Sequence, residues 1–329
     1  MEEIRLGTVG SGVIVHSILD NVLRVPGIRL EAAYSRTAQK AEALARRYGA
    51  EKTYTDMELF LADSAVNTVY IATPNLLHFE QAKRALLAGK HVILEKPFTT
   101  TLRDARELVE IARQKNLMLV DAVPPSFGPN FRLLREKLPE IGKIKLVMTN
   151  FSQYSSRYDK LLAGELPNIF NPALAGGCLM DLNFYNLYLN IALFGKPEEG
   201  TYYPNFYPGA GDTSGVAVLR YDGFVSQNAA AKDTWGVNFV QIEGEKGYLY
   251  AADGSAALAE IRVVTGQGER VYNEQPDPDR WYYEVEQVAK LLLEENREEL
   301  NRRLDVMLDV IETLEMLRRK AGITFPGDE

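Results

Sequence analysis

Cys178 is the only cysteine in 329 residues, so the chain can form no internal disulfide and carries no mark of an oxidising compartment. No apolar run approaches the ~20 residues that span a bilayer. A surplus of positive charge is also missing: 37 Lys and Arg against 45 Asp and Glu leave a net charge of −8. An acidic surface attracts neither nucleic acid nor an anionic membrane, so the expected partner is a small molecule. The first ten residues, MEEIRLGTVG, are acidic and lead at once into a strand-like run, with no basic segment followed by an apolar signal core. A cytoplasmic location is therefore expected. Asn150-Phe151-Ser152 fits the glycosylation pattern, which has no acceptor role in that compartment. Neither an internal repeat nor a low-complexity segment is present.

What is there is length enough for two cores. The first third alternates short β-rich runs with helical patterns, which predicts a parallel sheet wrapped by helices. Strands are expected at Ile4–Val9, Arg29–Tyr34, Thr68–Ala72, His91–Leu94 and Met118–Asp121. Helices are expected at Gly12–Arg24, Ala38–Tyr48, Asp56–Leu61, Leu77–Leu87 and Leu102–Lys115, with Thr37, Asp56 and Thr101 as N-caps and Gly49 and Gly89 just past helix ends. VPPSFGP, Val123 to Pro129, breaks the alternation. Beyond it come a helix near Asn130–Leu138 and strand-like runs at Ile144–Tyr154, Thr213–Tyr221, Phe224–Ala231, Val237–Glu243 and Gly247–Ala251, a largely antiparallel pattern. Two C-terminal helices, Tyr282–Glu295 and Glu299–Ala321, carry apolar stripes at helical spacing, among them Val285, Val288, Leu292, Leu304, Leu308, Ile311 and Leu314. The expected fold is α/β: a doubly wound parallel sheet over 1–123, then an α+β domain over 124–329 whose last helices pack back towards the first.

The chain is organised around IRLGTVGSGVIV, Ile4 to Val15. Gly10 lets the backbone turn sharply, and Gly12 leaves no side chain where a pyrophosphate would approach the N–H groups opening the helix at Val13 and Ile14. The third glycine of the dinucleotide pattern is Val15 here, and alone such a pattern is an ordinary strand-to-helix turn. The second strand ends in Ser35-Arg36, where an acidic residue would hold the adenosine ribose. A hydroxyl and a guanidinium there favour NADP over NAD, unless Arg36 is only a solvated loop arginine. Thr73-Pro74-Asn75 ends the strand Thr68–Ala72 and should border the same ligand, with His78 orienting the loop. Glu95-Lys96-Pro97 ends the following strand as a constrained charge pair, with the proline able to adopt cis. Lys96 is placed to reach the reacting end of a nicotinamide, the bland alternative being a surface salt bridge. No metal site is expected.

Gly7-x-x-Gly10-x-Gly12, ATPNLLH (72–78), AGKHVILEKP (88–97) and AGGCLMDLNFY (175–185) together resemble the Gfo/Idh/MocA family of NAD(P)-dependent oxidoreductases over nearly the whole chain. The resemblance implies that Lys96 contacts nicotinamide ribose and substrate. It also maps the family's second motif, GG-x-L-x-D-x-G-x-(H/Y), onto Gly176, Gly177, Leu179, Asp181, Asn183 and Tyr185. Asn183 replaces the usual glycine, and Tyr188 falls where histidine-type members often carry aspartate. The tyrosine branch, with glucose–fructose oxidoreductase and the dihydrodiol or xylose dehydrogenases, is the expected home. A homodimer or homotetramer is implied by resemblance alone.

Alcohol oxidation needs hydride and proton removal in one geometry. A phenol titrates near ~10, so Tyr185 would need the Lys96 cation beside it, while Asp181, one helical turn away, would orient the site or bind substrate. Tyr185 could otherwise be a core tyrosine among Phe184 and Tyr188. Between the first long strand and the GG motif, residues 153–177 are rich in polar and aromatic groups, with Arg157 and Asn171 able to bind a polyol, or else forming a contact loop. The expected activity is hydride transfer between NAD(P) and a secondary alcohol or carbonyl of a sugar, cyclitol or dihydrodiol. The alternative is a non-catalytic NAD(P)-binding sensor, motivated by Asn183 and Tyr188.

Overall fold

In the computed structural model, residues 1–328 are described. They form two compact units: Met1–Val123 with Trp281–Leu308, and Pro124–Arg280 with the chain from Asp309 onward. The long helix Arg297–Lys320 contributes to both.

The first unit is built on β1 (Ile4–Val9), β2 (Ile28–Tyr34), β3 (Lys52–Tyr54), β4 (Thr68–Ile71), β5 (His91–Glu95) and β6 (Leu119–Ala122), in the order β3-β2-β1-β4-β5-β6. Every pairing is parallel. Parallel strands connected by helices are covered on both faces, which is why β4 and β6 are buried along their whole length and are apolar apart from Thr68 and Asp121. The order reverses between β1 and β4, the switch point outside whose carboxyl ends ligands bind in open sheets. Asp56 caps its helix by accepting from the Glu58 and Leu59 amides, and Thr101 accepts from Asp104. Thr37 makes no such bond; the helix Ala38–Tyr48 is closed instead by Gly49 in the left-handed region. At the far end of the sheet, Arg303 donates to both carboxylate oxygens of Asp121 at 2.9 and 3.0 Å, fully inside the unit.

The second unit carries β7 (Ile144–Ser152), β8 (Glu199–Phe206), β9 (Asp212–Tyr221), β10 (Phe224–Ala231), β11 (Phe239–Gly244), β12 (Gly247–Ala252), β13 (Ile261–Thr265) and β14 (Gly268–Tyr272). Their order is β14-β13-β12-β11-β7-β10-β9-β8. The sheet is antiparallel except for β7 and β10, which run parallel side by side. Their carboxyl ends therefore lie at one edge. Residues 199–206, 261–265 and 268–272 were not expected as strands. Pro204 is tolerated because β8 is an edge strand, where a missing N–H costs no ladder bond.

The helix Phe184–Phe194 packs on β7 and β10. Asn183, Asn186 and Asn190 line the face turned to the sheet, all completely buried. Asn183 donates to the Asn228 carbonyl, Asn186 to the Ala229 carbonyl, and Asn190 to Asn228 Oδ1 at 2.7 Å. Thr149 Oγ1 donates to the same Oδ1 atom and Ser226 Oγ to Asn190 Oδ1. A satisfied amide network of this kind fixes one helix register against the sheet, whereas an apolar interface would tolerate several.

Candidate active site

The carboxyl edge of the first sheet gathers residues from four loops. Gly10 follows β1 with φ +123°, a backbone that L side chains rarely adopt, and a Cβ there would stand 2.4 Å from the Ala72 carbonyl oxygen at the end of β4. A Cβ on Gly12 would meet nothing within 4 Å. Gly12 is also the N-cap of the helix Val13–Val22, which has neither a side-chain cap nor an acidic residue in its first turn. Val13 and Ile14 thus open a helix whose leading N–H groups and positive dipole end face open space, the arrangement that receives a phosphate. The residues present fit a dinucleotide. Val15, in place of the third glycine, is wholly buried in the helix–sheet packing.

Beyond β2, Ser35 is buried, with its amide donating to the Tyr54 carbonyl, and Arg36 is exposed. After β4 come Thr73, Pro74 and Asn75, which start a short 3-10 turn; Thr73 Oγ1 donates to Gln81. After β5, Glu95 is buried, one carboxylate oxygen accepting from the Tyr70 hydroxyl at 2.7 Å and the other from the Lys96 amide at 3.2 Å. Lys96 is half-buried, and its bond to Pro97 is cis. His78 lies between the two loops, its ring nitrogens 2.8 Å from the Pro97 carbonyl and 2.9 Å from the Thr73 carbonyl. Burial, aided by the Lys96 ammonium and opposed by the two carbonyls, pushes its pKa below the usual range; the neutral ring donates to one of these carbonyls and packs against the other, between the loop after β4 and the turn after β5.

In the second unit the GG turn is packed without room for side chains. A Cβ on Gly177, at φ +149°, would meet Asp212 Oδ1 at 2.1 Å. Asp212 is fully buried, and its Oδ2 accepts from the Leu179 amide at 2.7 Å and the Tyr202 hydroxyl at 2.6 Å. Burial raises the pKa of this carboxyl, of Tyr202 and of the Cys178 thiol beside them, so Cys178 is a packed, unreactive group. Leu179–Asn183 then wind as a π-helix before the α-helix begins at Phe184. The expected α-helical turn from Asp181 to Tyr185 is therefore corrected to a π-to-α junction, a feature that recurs at functional sites. Asp181 forms an ion pair with the buried Lys232 at the end of β10. Tyr185 is buried, its ring edge-on to Phe151 at 5.8 Å.

The cofactor candidates Gly10, Gly12, Val13, Ile14, Ser35, Arg36, Thr73, Pro74, Asn75, His78, Glu95 and Lys96 thus share one sheet edge in the first unit, while Asp181 and Tyr185 belong to the second. Arg157 is exposed at the start of the short helix Tyr158–Leu162. Asn171 is partly committed, its Oδ1 accepting from the Ala173 amide. No cluster of metal-ligating side chains occurs among the described residues, and no helix among them is long and apolar enough to cross a membrane.

Comparison with known families matches residues 4–122 to the Gfo/Idh/MocA oxidoreductase family, NAD-binding Rossmann fold, and residues 132–250 to the Gfo/Idh/MocA C-terminal domain. Over 327 residues, 99% of either chain, the sequence is 31% identical to a scyllo-inositol 2-dehydrogenase (NADP(+)) of Bacillus subtilis. The chain belongs to the Gfo/Idh/MocA family. It is an NAD(P)-dependent oxidoreductase. Other similar Gfo/Idh/MocA proteins include the D-xylose 1-dehydrogenase (NADP(+)) of Hypocrea jecorina, 28% identical over 98% of this chain and 93% of that one. The trans-1,2-dihydrobenzene-1,2-diol dehydrogenase of Sus scrofa is 28% identical over 99% of both chains. A 3-ketoreductase from Actinomadura kijaniata, solved with NADP, shares the fold with a TM-score of 0.86 at 22% identity, covering 97% of this chain and 98% of that one.

Within this Gfo/Idh/MocA chain, Asn183 has a structural account: its amide anchors the π-to-α junction to β10. Asp212 and Lys232 were missed by sequence reasoning. The residues they serve stand 33 and 51 positions away. Only the alternation of β9 and β10 could have hinted that Asp212, which opens β9, and Lys232, which follows β10, turn inward.

Proposed function

We propose that the protein transfers a hydride between NADP and a secondary alcohol, or the matching carbonyl, of a sugar, cyclitol or dihydrodiol. The observation that carries the reading is the edge shared by Gly10, Asn75 and Lys96: three neighbouring strands end in a turn that excludes side chains, a polar loop and a half-buried ammonium. It is supported by relatives named as inositol, xylose and dihydrodiol dehydrogenases, two of them with NADP. When bound, the nicotinamide supplies the hydride acceptor or donor.

The chain's own groups do the rest. The leading amides of the helix at Val13 and Ile14 hold the pyrophosphate, and Asn75 bonds the ribose side. Glu95, pinned by Tyr70, and His78 fix the loop from which Lys96 projects. Tyr185 takes the hydroxyl proton in oxidation and returns it in reduction, and Lys96 supplies positive charge at the nicotinamide end of the cofactor. Asp181, held by Lys232, orients the substrate hydroxyls together with Arg157 and Asn171. The second unit is then the substrate domain and, by resemblance to the family, the site of homo-oligomer contact. With Asn183 explained by packing, the non-catalytic alternative has lost half its motive, and Lys96 and Tyr185 would have no use in a sensor.

Incubating the purified protein with NADP and a panel of aldoses, inositols and dihydrodiols tests this: NADPH formation with at least one class is expected, and none with any class would contradict it. The cofactor choice is tested separately. With Ser35 and Arg36 in the slot that NAD-type sites fill with a carboxylate, Arg36→Asp should remove a charge-assisted contact of about 1.5–3 kcal/mol and add repulsion. The ratio of kcat/KM for NADP over NAD is expected to fall by about 10- to 100-fold; an unchanged ratio would leave Arg36 a solvated loop residue.

A further inference from the structure

The second unit presents an aromatic stack for which the chemistry above has no use. Trp235, in the turn after β10, is 79% exposed. Its indole lies flat on Tyr154, just beyond β7, with ring centroids 5.6 Å apart and planes 8° from parallel. The turn that carries it is tied on both sides. Asn150 Nδ2 donates to the Val237 carbonyl and the Ser152 amide to Asn238 Oδ1, each at 2.7 Å. The Ser155 amide donates to the Lys232 carbonyl at 2.9 Å, and Ser214 Oγ to Asp233 Oδ2 at 3.0 Å. Tyr154 is itself fixed, its hydroxyl donating to Asp159 at 2.6 Å and its ring edge-on to Tyr158 at 5.8 Å. Asn150, whose glycosylation pattern had no use, is thus one of the ties. An indole with one face backed and the other open is held in place before anything binds.

Its position gives it a purpose. β7 and β10 are parallel neighbours, so Phe151, against which Tyr185 packs, and Lys232, which pairs with Asp181, stand at the same sheet edge. Tyr154 and Trp235 follow them by three residues each. Ring contacts run on from Tyr154 through Tyr158 to Phe170, whose ring centroid lies 6.0 Å from the Lys232 ammonium.

We infer that the open face of Trp235 is a subsite for the C–H face of a six-membered polyol ring, a pyranose or a cyclitol. The inference rests on the polyol reading above and narrows it. Axial C–H bonds carry a small positive charge, and the face of an indole is negative. A ring with equatorial hydroxyls offers several axial hydrogens together; an axial hydroxyl on that face lifts it away, and an open-chain polyol has no flat face. Trp235 therefore selects ring shape, while proton transfer stays with other groups.

Steady-state kinetics of the full-length protein test this with Trp235→Ala and the conservative Trp235→Phe. For β-glucopyranose or scyllo-inositol the Ala variant should raise KM about tenfold, an effect of the size expected for one aromatic contact, with the loss on KM rather than kcat. The Phe variant should recover most of it, and open-chain sorbitol should be affected far less than the rings. Equal ring KM values in wild type and Trp235→Ala overturn the subsite and leave the polyol chemistry standing. If no polyol is turned over at all, the polyol reading fails, and titration with methyl β-glucopyranoside still decides the subsite. A saturable change in tryptophan emission that vanishes in Trp235→Phe supports it, and no change overturns it. A Trp235→Ala protein that sediments differently, with ring and open-chain KM changed equally, assigns the stack to contact between copies of the chain and also overturns the subsite.

Discussion

Lys96→Met is expected to lower kcat/KM for the best polyol by about 10²–10⁴, the usual contribution of a positioned acid–base group. At pH 7 a tyrosine near its ordinary pKa of ~10 is almost wholly protonated, so it accepts a proton poorly unless a cation lowers that cost. Lys96 is the proposed source of positive charge, and its loop is held in place: Glu95 is bonded to Tyr70, and His78 lies between the Pro97 and Thr73 carbonyls. Tyr185→Phe removes the acceptor itself and should cost as much. On the proposed roles, in which both groups serve one proton transfer, the double variant should lose little more than the worse single one. NADPH binding, followed by its fluorescence, should stay within a few fold in Tyr185→Phe, separating lost chemistry from lost cofactor. Either single variant turning over at the wild-type rate would refute the assignment.

The largest effect on stability is expected at Asp121. Its side chain and that of Arg303 are 1% and 7% exposed, and both carboxylate oxygens accept from the guanidinium. Asp121→Ala leaves a buried charge without its counter-ion, which costs about 3–5 kcal/mol and lowers the melting temperature by on the order of 10 °C for a protein of this size. Replacing both partners, as in Asp121→Leu with Arg303→Met, should restore a good part of that loss, since the orphaned charge is gone. The exposed pair Arg47 and Asp20, 55% and 50% exposed, is the control: removing it should change stability by less than about 1 kcal/mol. Thermal unfolding of these three variants beside the wild type checks the order. If Asp121→Ala melts with the wild type, the buried pair does not hold β6 to the helix.

These two sets of residues also show where a sequence is informative. The parallel sheet is legible because burial on both faces leaves apolar runs in its inner strands, Val69–Ile71 of β4 and Val92–Leu94 of β5, and the turn at Gly10 because its requirement is local: one residue with φ +123° pressed against a neighbouring carbonyl. β3 has three residues and no room for a pattern. β8 and β14, as edge strands, keep Pro204 and an exposed face that hide their alternation. The π-helical turn at Leu179–Asn183 leaves no trace in composition, and its cause lies elsewhere in the chain, in Asp212 beneath Leu179 and Asn228 beneath Asn183. Asp121 reads as a strand residue and Arg303 as one arginine among several on a long helix; 182 positions separate them, and nothing local joins them. Residues whose role is set by neighbours close in sequence can be read there; those set by long-range pairing cannot.

In the proposed reaction, hydrogen passes directly between a substrate carbon and the nicotinamide. The most direct measurement uses a polyol deuterated at its carbinol carbon, mixed with NADP and the purified protein, with the reduced nucleotide analysed by mass spectrometry. Direct transfer places one deuterium in the nicotinamide ring with the wild-type protein, and Tyr185→Phe should slow that transfer strongly. Reduced nucleotide without the label, or equal transfer by the two proteins, would contradict it.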